Sequence, residues 1–277
     1  MIVDAHHHLW DLSVRDQDWI TDPPMGAIRR SFLEPDFVLA APEVSASVLV
    51  QTVCVPEETP EFLALAASSS VVSAVVGWTD LTSPAVDDVL SSLTDSPNGS
   101  WLRGIRHQVQ GEPDPEWLCR KDVWRGLAAV GSHGLVYDLL TLPHQLPAAR
   151  RTVAALGNMQ FVVDHCAKPA IGSSAPGEWA EPIRSLAEHE NVTCKLSGLV
   201  TEADWKSWDV DLLRPYFEVV LDAFGPDRLM FGSDWPVCLL AASYGEWLDA
   251  ARELVSELSP DEQAAIFAGT ARRVYGL

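Results

Sequence analysis

Met1-Ile2-Val3-Asp4-Ala5-His6-His7-His8 opens the chain as a short apolar run that ends in three histidines. Side chains on a strand alternate faces with period two, so His6 and His8 point one way and His7 the other. Two imidazoles side by side at a strand end suit one divalent metal ion. A tag remnant or an ordinary surface histidine cluster is the plainer reading. A tag usually carries more histidines and lies outside the fold, whereas these continue a strand-like start. The stretch also bears on architecture. An open, doubly wound α/β sheet usually places a glycine-rich phosphate loop after its first strand, and here that place holds histidines.

Working outward, β-branched apolar runs recur at fairly regular intervals and predict strands over 2–5, 46–52, 72–78, 102–106, 134–139, 160–163, 192–196 and 228–231. Helix-length amphipathic stretches separate most of them. Leu212, Leu213, Tyr216, Phe217, Val220, Leu221 and Phe224 make one apolar face, closed by Gly225-Pro226. Trp247, Leu248, Ala251, Leu254, Val255 and Leu258 make another. Ser83-Pro84 predicts one helix start and Ser259-Pro260-Asp261-Glu262 a capping box at another. Eight near-continuous apolar strands alternating with helices predict a single α/β domain over 1–277, a (β/α)8 TIM barrel. Residues 9–35, with Trp10, Trp19, Pro23 and Pro24, show little periodicity and read as a loop or lid excursion at the barrel mouth.

The chain has 277 residues, 47% of them hydrophobic, enough for a substantial core. Net charge is −20, which repels nucleic acid and anionic membranes, so neither is an expected partner, although the acidity does not identify a substrate. A homo-oligomer is compatible with the same composition. No leader pattern and no bilayer-length apolar run is visible, so a soluble cytoplasmic protein is expected. Five scattered cysteines without a C-x-x-C pair agree with reduced thiols.

In such a barrel the active site forms where strands end and βα loops begin. Those positions hold Asp4, His6 and His8; Arg106-His107; Tyr137-Asp138; Asp164-His165 and then Lys168; Lys195; and Ser233-Asp234-Trp235-Pro236. His165 is a candidate third metal ligand. Asp234, on the strand that closes against the first, can reach the same ion or its water. Asp4 is either a partner for an imidazole or a structural acid. Arg106, Lys195 and Lys168 either bind substrate or pair with Asp138 or Asp164. Tyr137 is either a phenol donor at the rim or a core aromatic. His107 should alternate away from Arg106.

These motifs, in order, resemble the amidohydrolase superfamily in its L-fuconolactonase-like, sugar-lactonase subgroup. The residues concerned are Asp4 to Trp10, Gly104 to His107, Val136 to Leu140, Asp164 to Pro169, Lys195 to Leu199 and Phe224 to Val237. The resemblance implies a hydrolase of sugar-acid lactones such as those of L-fucose or L-rhamnose. Carried over by position, His6, His8, His165 and Asp234 form the metal or water site, and Arg106, Tyr137 and Lys195 contact substrate. Many superfamily members add a lysine or histidine from strand five and a further histidine. Here strand five offers Tyr137-Asp138, which favours one divalent ion, Zn²⁺ first, over a binuclear centre.

The expected mechanism has Asp234 as general base for water activated by that ion, with His165 beside it and Arg106 or Lys195 facing the oxyanion. Rivals are a metal-independent lactonase of a pyrone dicarboxylate, which would need several arginines, and a metal-dependent decarboxylase of the same superfamily.

Overall fold

The computed structural model describes residues 1–21, 23–172 and 176–277. Eight strands, β1 (Ile2–His7), β2 (Val44–Val50), β3 (Val72–Gly77), β4 (Leu102–His107), β5 (Val136–Leu139), β6 (Phe161–Val163), β7 (Val192–Leu196) and β8 (Leu229–Phe231), form one sheet in chain order. Each strand pairs in parallel with the next. Just past β8 the sheet closes on β1: Asp234 N donates to His6 O at 2.8 Å and His8 N to Trp235 O at 2.7 Å. This is the (β/α)8 barrel that eight apolar runs predict.

Outside the barrel lie α1 (Glu34–Ala40), α2 (Glu58–Ser68), α3 (Val86–Thr94), α4 (Lys121–Ser132), α5 (Leu146–Ala155), α6 (Gly177–Ala187), α7 (Leu199–Glu202), α8 (Val210–Phe224), α9 (Tyr244–Leu254), α10 (Pro260–Ala264) and α11 (Thr270–Tyr275). The strand pleat divides the core in two. Leu49, Val75, Ile105, Tyr137, Phe161, Leu196 and Phe231 face the helices, whereas Val48, Val76, Val136, Val162 and Met230 fill the barrel. Ala271 and Tyr275 of α11 join that inner cluster. Among the described residues no helix is long and apolar enough to cross a membrane.

Differences from the sequence reading are local. β1 runs on through His7, so His6 and His7 belong to the strand itself and His8 follows directly. Register passes from Asp4 opposite Ser47 to His7 opposite Leu49, which leaves one extra residue on β1 and breaks strict alternation there. The helix expected to begin at Ser83-Pro84 begins at Val86; the Ser83 hydroxyl accepts from Ala85 N within the preceding turn. The Ser259 capping box is present as predicted. In 9–35, Trp10 and Phe32 exchange backbone hydrogen bonds of 3.0 and 2.8 Å, and Ile20, Ile28 and Phe32 are buried beneath the excursion.

Packing and capping should separate cleanly in urea melts. Leu127→Ala, which empties a fully buried position on α4, should lower unfolding free energy by about 2–5 kcal/mol. Ser259→Ala, which removes only the α10 cap, should cost about 1 kcal/mol.

Candidate active site

The extra residue in β1 turns Asp4 to a structural task. Its Oδ1 accepts from His6 N at 3.1 Å and from Ser233 N at 2.9 Å, which ties the ends of β1 and β8 together. Burial pushes the Asp4 carboxyl up to about 6. His6 and His8 point the same way, Nε2 to Nε2 at 3.1 Å. His7 points out, bonded to Ser47 Oγ at 3.0 Å and stacked on Phe37. His165 follows β6 on a tight left-handed stretch: His165, Cys166, Ala167 and Lys168 have φ of 53°, 52°, 56° and 52°. Asp234 has φ 56°. Side-chain-bearing residues rarely occupy this region, and such strain persists where packing over-determines it. Two glycines supply the room. A Cβ on Gly198, itself at φ 68°, would lie 2.8 Å from the His165 ring, and one on Gly232 2.8 Å from His6 Cβ.

Four donors therefore converge. Asp234 Oδ1 stands 3.4 Å from His8 Nε2, 3.7 Å from His6 Nε2 and 3.7 Å from His165 Nε2. His8 Nδ1 lies 2.8 Å from Val50 O, which can only accept, so Nδ1 carries the proton and neutral His8 presents a bare Nε2. His165 Nδ1 is held by Ser197 Oγ at 2.8 Å. His6 Nδ1 lies 3.3 Å from Asp164 Oδ1, so a proton directed there leaves its Nε2 free as well. His6, His8 and Asp234 offer donor atoms within 4.8 Å of one another, and His6, Asp164 and His165 form a second such group. The first fits a divalent cation, and His165 Nε2, 3.7 Å from the same carboxylate oxygen, stands beside it as a further donor of the zinc type.

Burial pushes the imidazoles of His6 and His165 down, the latter to about 4, so both are neutral at pH 7. Burial alone would raise Asp234, but the facing His165, with His8 and His6, outweighs it and holds the carboxyl far below its ordinary range.

Beneath this cluster lies a closed network of charges. Lys195 Nζ reaches Asp138 Oδ2 at 2.5 Å, Asp164 Oδ1 at 2.9 Å and His6 Nδ1 at 3.1 Å. Arg106 Nη1 bonds Asp164 Oδ2 at 3.0 Å and lies 3.3 Å from His6 Nε2, while its Nη2 is held by Gln51 O and Oε1.

A pocket of about 100 Å³ opens above, lined by His8, Trp19, Thr52, Arg106, Gln108, Gln110, Leu140, His165, Lys168, Asp234 and Val237. Of the residues singled out for substrate, Arg106 and Lys168 line it. Tyr137 and Lys195 do not line it: Tyr137 takes the core-aromatic alternative and Lys195 the alternative of pairing with Asp138 and Asp164. Arg106 pairs in register with Asp138, so Asp138 takes the inward place and Tyr137 the outward one, fully buried against Phe161. Lys195 does point inward, but it is sealed one layer too deep. Lys168 pairs with Glu202 at 3.2 Å rather than with Asp138 or Asp164. His107 alternates away as expected, accepting from Trp78 Nε1 and bonding Glu112. Trp19 belongs to the excursion expected at the mouth, whereas Thr52, Gln108 and Gln110 went unrecognised as pocket residues; they follow the ends of β2 and β4, where no periodicity marks them.

A profile of the family described as Amidohydrolase matches residues 3–277. Over 289 aligned positions the chain is 39% identical to an L-fucono-1,5-lactonase of Burkholderia multivorans, covering 99% of this chain and 96% of that one. An L-fucono-1,5-lactonase of Burkholderia ambifaria is also 39% identical, with 99% and 94% covered. The fold superimposes on a crystal structure of an amidohydrolase from Burkholderia multivorans with bound zinc, at TM-score 0.94 and 38% identity over 100% of this chain and 99% of that one.

The displaced imidazole gives a pH test. Between about 4 and the ordinary 6.5, the unfolded chain binds a proton at His165 that the folded chain does not. That residue therefore makes the fold less stable as pH falls through this window. In metal-free protein, His165→Asn should flatten the fall by up to about 1.4 kcal/mol per pH unit, read from urea melts across the interval.

Proposed function

The chain belongs to the amidohydrolase family, and from that premise we propose that it hydrolyses the lactone of a sugar acid, of the L-fuconolactone or L-rhamnonolactone kind, to the open aldonate. The observation that carries the reading is Asp234 Oδ1 facing three imidazole nitrogens at 3.4–3.7 Å on the floor of a small polar pocket. His6, His8, His165 and Asp234 would hold one divalent ion, with Zn²⁺ the ion that suits the donor set and that accompanies a similar protein. A second ion has no vacancy beside Asp164, whose charge already meets Lys195 and Arg106. An ion held there would supply positive charge to lower the pKa of water and draw electron density from a carbonyl oxygen.

The chain's own groups do the rest. Asp234, ionised at pH 7, accepts the proton of water as its oxygen attacks the carbonyl carbon. The carbonyl electrons move to oxygen, near Arg106 at the pocket wall. When the ring C–O bond breaks, the proton passes from Asp234 to the departing oxygen, and the product is a hydroxy acid. Thr52, Gln108 and Gln110 offer hydroxyl and amide groups that match a polyol. Lys168 stands where the new carboxylate can meet a cation. Trp19, from the 9–35 excursion, covers the mouth; its Nε1 donates to Gln17 Oε1 at 2.8 Å, so the indole offers its face to the sugar ring. The excursion thus works as a lid over a single-domain barrel.

Ring opening of L-fucono-1,5-lactone and L-rhamnonolactone, followed by proton release, tests this. Asp234→Asn should fold normally and lose about 10²–10⁴-fold in kcat. Wild-type rates in that variant overturn the base assignment. Chelation should abolish activity and Zn²⁺ restore it; full activity after exhaustive chelation would overturn the metal assignment and leave metal-independent hydrolysis.

A further inference from the structure

Tyr275, on α11, is far from the pocket yet reaches the barrel interior. Its ring is buried among Val136, Val162 and Met230, and its hydroxyl lies 3.0 and 2.9 Å from Asp138 Oδ1 and Oδ2. Asp138 in turn holds Lys195 at 2.5 Å, and Lys195 lies 3.1 Å from His6 Nδ1. All four residues are at most 1% exposed, so no solvent can replace a lost partner. From this chain of contacts we propose that Tyr275 is a positioning residue of the reaction centre: its hydroxyl fixes Asp138, and through Asp138 and Lys195 the ring of His6.

The contacts of Lys195 support the inference. The ammonium of Lys195 meets two carboxylates, Asp138 and Asp164, and abuts His6 Nδ1 at 3.1 Å, so its place limits how far the His6 ring can turn. That place is set by where the two carboxylates stand. Asp164 is anchored from the other side by Arg106 at 3.0 Å. Asp138 has no arginine; the phenol of Tyr275 is the group that plays that part. A barrel plug would need only the ring, which also lies 5.5 Å from Lys195 Nζ. The hydroxyl aimed at both carboxylate oxygens is more than filling requires. Partners one contact behind a metal-binding histidine are worth about 10–100-fold in affinity or activity, and Tyr275 stands further back, so an effect near the lower end follows.

The inference rests on His6 serving the site proposed above, and Tyr275→Phe separates the two because it keeps the ring and deletes the oxygen. In metal-free protein the ring ¹⁵N resonances of His6, assigned by their loss in His6→Asn, should shift in Tyr275→Phe while those of His7 and His107 stay in place. With Zn²⁺ as the probe, affinity measured against a competing chelator should fall about 10-fold. On lactone, kcat should fall about 10-fold with KM within twofold, and melting of the metal-free protein should move little. Unshifted His6 resonances overturn the proposal whatever the enzyme does to lactones. So do unchanged zinc affinity and kcat in an otherwise active protein. If wild type neither binds zinc nor opens lactones, the functional reading fails and the resonance comparison still decides the role of Tyr275. Should Tyr275→Phe not fold, Asp138→Asn breaks the same link from its other end, and the same His6 readout applies.

Discussion

Two backbone hydrogen bonds close the barrel, Asp234 N to His6 O and His8 N to Trp235 O, and three of those four residues, His6, His8 and Asp234, also lend their side chains to the site. The geometry of the cluster is therefore a by-product of closing the sheet. Asp4 reinforces the seam by accepting from both strands, and Gly232 lets the two chains approach because a Cβ there would strike His6. A barrel that opened at this seam would lose the carboxylate and two imidazoles together. Fold stability and chemistry are coupled at one place, the join between the first strand and the last.

Charge inside the barrel follows from the same closure. Arg106 and Lys195 face Asp138, Asp164 and Asp234 in a space with almost no solvent. Burial would raise every carboxyl, and the outcome differs with company. Lys195, His6 and Arg106 pull Asp164 well below its ordinary value, whereas Asp138, despite Lys195, stays up at about 6. Two cations against three carboxylates leave one negative charge over, and Asp234 is the one without an arginine or lysine. That imbalance sits beside the imidazoles of His6, His8 and His165, of which burial holds His6 and His165 neutral. A divalent cation there would offset both the charge and the lone-pair repulsion, which is the physical argument behind the metal site proposed above.

Much of this was legible in the sequence because period-two alternation is a strong constraint. It placed His6 and His8 together, sent His7 and His107 outward, and counted eight strands. It failed where alternation depends on a register that one strand cannot reveal. Tyr137 and Asp138 are neighbours, so one of them had to face inward. A buried Arg106 and Lys195 on adjoining strands demand a carboxylate on their own face, a signal that favours Asp138. Depth was equally hidden: Lys195 is on the correct face but lies a layer below the pocket. Asp4 was moved by the extra residue in β1, and nothing in its local sequence announces that irregularity.

The pocket walls follow a different logic from its floor. Floor residues stand on strands or on the strained turns just after them, and Lys168 shares this rigidity because its backbone continues the left-handed run begun at His165. Thr52 is pinned by Glu58, which accepts from its backbone N–H and hydroxyl. Gln108 bonds the Thr52 carbonyl at 2.8 Å, so these two wall residues are fixed as a pair. Trp19 alone comes from the long excursion, and its orientation depends on Gln17 of the same segment. Trp19 can therefore shift without disturbing the Thr52–Glu58 and Gln108–Thr52 contacts. The indole thus rests on its own segment, while the floor rests on the barrel.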